Sequence, residues 1–354
     1  MIYRKLEDGK TKWNNGSAIF LNGHWISNPT AKMLESDGWE RVDPKEPELY
    51  KGSDIISLQD EHLSFLKDNP ECIPIITTVQ DATVYHYTTW NALIQGILSE
   101  VASKDRIMLR AYSSYFMNDR TEGELLLSKI AEAEYEANKD TESFFVNQDG
   151  IEIGMKVKDH PLFQRRQEML KMSAKEHKKN TFSISFSKNN DSLPMWNYYA
   201  QSSGGVSLGF EAAEIWNQGY EIFNCIYDED HIKILGKILY EYEIHNKSHD
   251  SLSNTCILAK DRHFKYEEEC RIPLKKFNDE FVLTRRDQFL PIKYGLKRGL
   301  IVPYVDILLP PSSLSEIWIG PTNNYGEAEF SLRSYLNHLG LNSVKIMSSD
   351  APLR

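Results

Sequence analysis

Lys265-Tyr266-Glu267-Glu268-Glu269-Cys270-Arg271-Ile272 sets three consecutive carboxylates beside an arginine in the middle of a folding region. Tyr266, Cys270 and Ile272 alternate as a strand requires, so the stretch reads as a strand over 266–274. Alternation then puts Glu267, Glu269 and Arg271 on one face and Glu268 on the other. Burying two carboxylates and a guanidinium on one strand face is costly without a purpose. Two readings stay open at this point: an exposed strand laced with cross-strand ion pairs, or an active-site face.

The sequence upstream of this stretch alternates short strand and helix signals. Val84-Tyr85-His86-Tyr87-Thr88 is β-prone. Leu93, Ile94, Ile97 and Leu98 fall at helical spacing over 90–99. Residues 107–111 read as a second strand, and a long helix is expected from about Glu122 to Ala137. A polar insertion follows over 138–160, then a charged helix over 162–178. Thr181-Phe182-Ser183-Ile184-Ser185-Phe186-Ser187 alternates cleanly as a strand. A short helix with Pro194 near its first turn comes next, and Gly204-Gly205 breaks it. Further strands are expected at 206–210 and 223–227, with mostly helix over 229–262. After the focal strand come candidate strands at 281–283, 316–319 and 343–346 and a helix over 327–339.

Residues 1–50 read as a small β-rich module. Asn22-Gly23 marks a hairpin turn between 17–21 and 24–26. A short helix over 31–36 ends at Asp37-Gly38, and 39–42 closes the module as a strand. The segment from Asn28 to Trp39 resembles short modules of bacterial and phage-borne proteins, which implies a docking or stabilising appendage. Residues 51–80, with a helix near 57–68, read as a connector, and 81–354 as the main domain.

The bulk numbers narrow the function classes. With 354 residues, 41% hydrophobic and 26% charged, the composition is that of a globular protein of about two domains. The sequence shows neither an apolar run near 18 residues nor a secretory h-region, so a cytoplasmic protein without a membrane span is expected. Four scattered cysteines form no CxxC pair, which suggests neither a disulfide framework nor zinc. No HExxH, GxxxxGK[ST] or GxGxxG occurs, so no metal is expected. A net charge of −10 argues against non-specific binding to a nucleic-acid backbone.

Singly, each remaining signal has a plain structural reading. His86 on a strand, the aromatics around Trp196 and Tyr199, and Asn118-Asp119 with Glu122 fit a core histidine, core packing and a helix cap. Their order carries more: Tyr85-His86-Tyr87-Thr88, then Asn118-Asp119 with Glu122, Phe182-Ser183-Ile184-Ser185, Met195-Trp196 with Tyr199-Ala200 and Gly205, and Tyr266-Glu267-Glu268-Glu269-Cys270-Arg271. This set resembles the bacterial domain-of-unknown-function family 2971 over about 84–354. Ser349 with Pro352-Leu353-Arg354 looks like that family's closing motif. The chain departs at Cys270, more often aromatic in the family, and at Tyr198, often smaller or polar.

That family is in turn similar to the ADP-ribosyltransferase fold. The resemblance implies an α+β domain of mixed, largely antiparallel split sheets with flanking helices. It implies NAD as a substrate, with no metal, and transfer of ADP-ribose to a protein or nucleic-acid target, as by a toxin-like effector in anti-phage defence. An antitoxin or docking partner would meet residues 1–50. Carried over residue by residue, the resemblance makes Glu269 or Glu267 the catalytic carboxylate and lets Tyr199 stack on nicotinamide. Arg271 would pair with a carboxylate or contact pyrophosphate. His86 and Thr88 orient the dinucleotide, and Tyr87, Ser185, Trp196 and Asn118 complete the binding set. Two alternatives remain: a non-catalytic nucleotide- or protein-binding domain, and a carboxylate-dependent nuclease or glycosidase.

Overall fold

The computed structural model describes residues 2–7, 10–14, 18–21, 24–42, 70–72, 75–117, 123–146, 152–156, 164–165, 168, 176–200, 204–246, 255–284, 288–322 and 324–352. The first elements build their own small core. Strands β1 (Ile2–Glu7) and β2 (Lys10–Asn14) pair antiparallel, and β5 (Glu40–Val42) joins the other edge of β1. Between them lie the hairpin β3 (Ala18–Leu21) with β4 (His24–Ser27) and helix α1 (Ala31–Ser36), capped by the Thr30 hydroxyl. Tyr3, Ile19 and Leu34 are buried together. The hairpin, helix and closing strand follow the sequence reading. Strands β1 and β2 were not expected, because their alternating charges mask a strand that buries only Ile2 and Tyr3. Trp13 meets Phe289 edge-on at 4.7 Å. The helix expected near 57–68 lies outside the described residues.

The rest is an α+β assembly around one twelve-stranded, mixed and largely antiparallel sheet. Its strands are β6 (Thr83–Thr88), β7 (Ile107–Ser113), β10 (Thr181–Ser187), β11 (Val206–Glu211), β12 (Phe223–Asn224), β13 (Glu269–Lys276), β14 (Phe281–Leu283), β15 (Phe289–Pro291), β16 (Lys293–Lys297), β17 (Leu300–Leu309), β18 (Leu314–Ile319) and β19 (Lys345–Ser348). A separate hairpin, β8 (Glu142–Val146) with β9 (Glu152–Lys156), occupies the expected insertion. Among the described strands, only β18 and β19 pair parallel.

β10 is the junction of the sheet. Along one edge it pairs with β13 over its whole length. Along the other, Phe182 and Ser183 pair with β7, while Ser187 pairs with Tyr85 of β6. The sheet therefore splits between β6 and β7. One face of β10 buries Phe182, Ile184 and Phe186 with Cys270, Ile272, Leu208 and Ile317 in the main core. Helix α8 (Tyr325–His338) covers part of that core with Leu332 and Leu336.

The remaining named helices are α2 (Trp90–Ala92, running into a π-turn over Leu93–Ile97), α3 (Val101–Lys104), α4 (Glu124–Asn138), α5 (Leu193–Tyr199), α6 (Ala212–Asn217) and α7 (Glu229–Asn246). A second core forms where Leu126, Leu127 and Ile130 of α4 meet Ile232, Leu235 and Leu239 of α7. A Cβ on Gly236 would lie 2.7 Å from Lys129 Cβ, so glycine permits that close crossing.

Several expectations need correction. The focal strand begins at Glu269, because Arg262–Glu267 forms a 3-10 helix and Glu268 turns through φ 43°. The expected strand at 223–227 shrinks to two residues plus a single bridge from Ile226 to Ala259. β15, β16 and β17 were missed. Pro303 interrupts what reads as an apolar run, and Asp306 sits inside it. The charged helix over 162–178 falls largely outside the described residues. Among those described, no helix is long and apolar enough to cross a membrane. The four cysteines are buried and free.

Candidate active site

The focal carboxylates come together although they do not share a strand. Register places Ser185 opposite Arg271 and Ser187 opposite Glu269, away from the core face of β10. The left-handed turn at Glu268 then lets Glu267, on the 3-10 helix, swing onto the same side. Two bonds fix that entry: the Ser187 hydroxyl donates to the Glu267 carbonyl at 2.7 Å, and the Lys188 N–H donates to the Glu268 carbonyl at 3.0 Å.

Four charges form one closed group. Arg271 Nε donates to Glu269 Oε1 at 2.7 Å and its Nη2 to Glu269 Oε2 at 2.8 Å. Its Nη1 donates to the Ile257 carbonyl at 2.7 Å. Lys260 Nζ bridges Glu269 Oε2 and Glu267 Oε2. The exposures of Lys260, Glu267, Glu269 and Arg271 are 3, 3, 4 and 1%. Two cations balance two anions, which makes such burial tolerable.

The two carboxylates differ in character. Burial pushes the Glu267 carboxyl up, against the pull of Lys260. Burial also works against the Glu269 charge, but Arg271 and Lys260 together outweigh it and hold the carboxyl at about 2. Glu269 is thus a fixed anion and Glu267 the group poised to take a proton.

Aromatic hydroxyls surround this group. Tyr199, at the last turn of α5, donates to Glu267 Oε1 at 3.2 Å. Burial, then the nearby Glu267 charge, raises the Tyr199 phenol. The Tyr227 hydroxyl accepts from the Glu269 N–H at 2.9 Å. Tyr266 feels the charge of Glu267 and the neighbouring Tyr198, and Tyr198 is 67% exposed. Lys260 Nζ lies 5.1 Å from the centre of the Phe264 ring. The outer edge of the carboxylate group is therefore aromatic.

Helix α5 is held from behind. Trp196 is fully buried, with Tyr87 edge-on at 4.7 Å. Its indole N–H donates to Asp191 at 2.6 Å, and Asp191 also accepts from the Ser349 hydroxyl and, at 2.8 Å, from the Asp350 N–H. The Tyr87 hydroxyl donates to the Asn189 carbonyl at 2.9 Å and accepts from the Ser192 N–H at 2.9 Å. Trp196 and Tyr87 thus support the helix that carries Tyr199 and present no free surface to a ligand.

The structure does not bring every expected residue to this group. His86 and Thr88 alternate with Tyr85 and Tyr87, and register puts Tyr85 on the side of Ser187 and Glu269. His86 therefore stands on the opposite face, at the split. Its Nδ1–H donates to the Ser185 carbonyl at 3.1 Å, and its ring meets Phe186 edge-on at 5.9 Å. Burial lowers its pKa, so it is neutral near neutral pH. Thr88 is buried on that same face. Ser185 lies on the carboxylate side with a buried hydroxyl that has no hydrogen-bond partner. Asn118, with Asp119 and Glu122, lies outside the described residues.

Lys260 and Tyr227 belong to the charged group, and the sequence did not single them out. Lys260 precedes Glu267 by seven residues and looks like one surface lysine among many. The pairing of β12 with β13 and the bond from the Cys225 N–H to the Glu269 carbonyl bring Tyr227 beside β13, and the bridge from Ile226 to Ala259 brings Lys260 there.

Residues 195–272 match DUF2971, described as a protein of unknown function. This is the family that the ordered motifs resemble. The DUF2971 match runs from Met195 on α5 to Ile272 on β13, so it contains Tyr199, Tyr227, Lys260, Glu267, Glu269 and Arg271. His86, Ser185 and the closing segment lie outside it. No curated protein matches the chain significantly.

A cleft of about 690 Å³ is lined by Cys225, Tyr227, Arg262, Lys265, Lys129, Lys233 and four acidic side chains; Tyr227 is its link to the site, and Lys260, Glu267, Glu269 and Arg271 do not line it. Among the described residues, no cluster of three or more His, Cys, Asp or Glu side chains is arranged to hold a metal.

Proposed function

We propose that the chain is a glycosyl-transferring enzyme that cleaves the nicotinamide–ribose bond of NAD and moves ADP-ribose to a macromolecular acceptor. The observation that supports this most is the Glu267–Glu269 pair, held by Lys260 and Arg271 and edged by Tyr199, Tyr198 and Tyr266. As the bond breaks, its electron pair leaves with nicotinamide and the ribose becomes oxocarbenium-like. A fixed anion such as Glu269 favours that cation. Glu267, with its raised pKa, would take the proton of the acceptor as the acceptor's lone pair forms the new bond to C1′. Exposed Tyr198 and Tyr266 offer ring faces to nicotinamide or adenine.

The fit to NAD is partial. The carboxylates, tyrosines and Ser185 suit its glycosidic end. His86 and Thr88, on the far face, leave the ribose and pyrophosphate roles to other residues. Arg262 and Lys265, which line the 690 Å³ cleft, are the candidates for the pyrophosphate.

One observation favours a second reading, a non-catalytic binding domain. All four charges are almost completely buried and mutually neutralised, as in a structural ion-pair network. Nicotinamide release from NAD by the purified chain, compared with Glu267→Gln and Glu269→Gln, separates the two. The proposal expects release by the native chain and at least about a hundredfold loss in each folded variant. Absence of release by the folded native chain defeats it in favour of the second reading.

A further inference from the structure

The β16–β17 hairpin carries an exposed apolar face that the carboxylate site does not use. Tyr294, Leu296 and Ile301 are 65, 80 and 71% exposed. Register puts Leu296 opposite Ile301 and Tyr294 opposite Pro303, so the four share one face. Alternate residues Lys293 and Lys297 occupy the other face, and Arg298 stands in the turn.

Among the described residues, β16 pairs with β17 alone, so its outer edge has no neighbour. Arg298 and Gly299 both have positive φ, 53° and 76°, which is the geometry of a tight two-residue hairpin turn. Such a turn makes Lys297 and Leu300 a hydrogen-bonded pair. Leu296 and Tyr294 then fall at non-hydrogen-bonded positions, with their N–H and C=O groups directed to the open edge. Pro303, opposite Tyr294, forfeits no ladder bond.

We propose that β16 is a docking edge for an extended segment of another protein, one that alternates apolar and acidic side chains. The apolar row would lie on the Tyr294–Leu296 side and the acidic row beside Lys293, Lys297 and Arg298. The charge decides the partner. Lys293 donates to Asp306 at 2.8 Å, and Lys297 sits 4.1 Å over the Tyr112 ring, so both cations are held in place. Even counting Asp306, the edge is locally positive on a chain of net charge −10. A second copy is disfavoured, because antiparallel pairing of two β16 edges about Gly295 sets Lys293 of one against Lys297 of the other.

The test uses the full chain and a fluorescein-labelled peptide that alternates glutamate and valine, followed by anisotropy. The expected result is saturable binding. A matched lysine–valine peptide should fail to bind. Leu296→Pro removes the edge N–H without touching the β16–β17 ladder and should weaken binding about tenfold or more. Arg298→Glu should weaken it as well, with circular dichroism confirming both folds. Lack of binding, equal binding of the lysine peptide, or an unchanged Leu296→Pro overturns the proposal. Two further outcomes also overturn it: concentration-dependent dimers lost in Leu296→Pro, which assign the edge to self-association, and binding to phosphatidylglycerol vesicles but not to the peptide, which assigns it to lipid.

Discussion

Replacing Lys260 with methionine removes the cation that joins the two carboxylates while keeping most of the side-chain volume. Glu267 and Glu269 would remain at 3 and 4% exposure with Arg271 as their one buried cation. Arg271 already spends Nε and Nη2 on Glu269 and Nη1 on Ile257. Glu267 would keep only the Tyr199 hydroxyl. Breaking a buried pair in this way costs about 3–5 kcal/mol. Protonation of Glu267 recovers part of that cost. Its carboxyl is already raised by burial, and loss of Lys260 raises it further. A carboxyl with a raised folded pKa binds its proton more tightly folded than unfolded. Stability therefore falls as pH climbs through the window between the ordinary carboxylate value and the raised one. Glu269 behaves oppositely: its contribution is lost only as pH falls toward about 2. Urea denaturation followed by circular dichroism should show the full loss near about pH 8 and a clearly smaller one near about pH 5. A loss below about 1 kcal/mol at both values, as an exposed pair gives, would refute the buried network.

Three further outcomes follow from single contacts. Tyr199→Phe deletes the 3.2 Å bond to Glu267; it should cost about 1 kcal/mol and raise the Glu267 carboxyl, seen as an upward shift of the acid limb of the pH–activity profile. Asp191→Ala strands the Trp196 indole, the Ser349 hydroxyl and the Asp350 N–H; it should cost about 2–4 kcal/mol, and hydrogen exchange should speed up at residues 349–351. Gly205→Ala would set a Cβ 2.3 Å from the Thr88 carbonyl oxygen and 2.7 Å from Ala200 Cβ, so thermal denaturation should report a loss of about 3 kcal/mol or more.

Elements with a clean local signal were legible in the sequence. β10 alternates Phe182, Ile184 and Phe186 with serines, and its bounds match the reading over 181–187. The β3–β4 pairing and helix α1 were legible for the same reason, since hairpin and cap signals are local. β17 was not. Its inward row of Val305, Ile307 and Leu309 is interrupted in sequence by Pro303 and Asp306, whose places are set by pairing with β16 and β7. In the site, the sequence marked Glu267, Glu269, Arg271 and Tyr199, and the fold brings them together. It misjudged how, because the left-handed Glu268 does the work assigned to a continuous strand. Lys260 was invisible, since nothing local distinguishes a buried lysine from a solvated one. His86 looked like a partner of the carboxylates, but strand parity turns it to the other face.

In the proposed reaction the carboxylate group breaks the glycosidic bond of NAD and passes on the ADP-ribose. The direct measurement incubates the purified chain with NAD labelled in its adenine half, with and without cell extract, and follows free nicotinamide and labelled macromolecules together. Nicotinamide should be released and label fixed to protein or nucleic acid, both lost in a folded Glu269→Gln variant. A folded native chain that neither releases nicotinamide nor labels anything would contradict it, and would leave Lys260, Glu267, Glu269 and Arg271 as a structural ion-pair network.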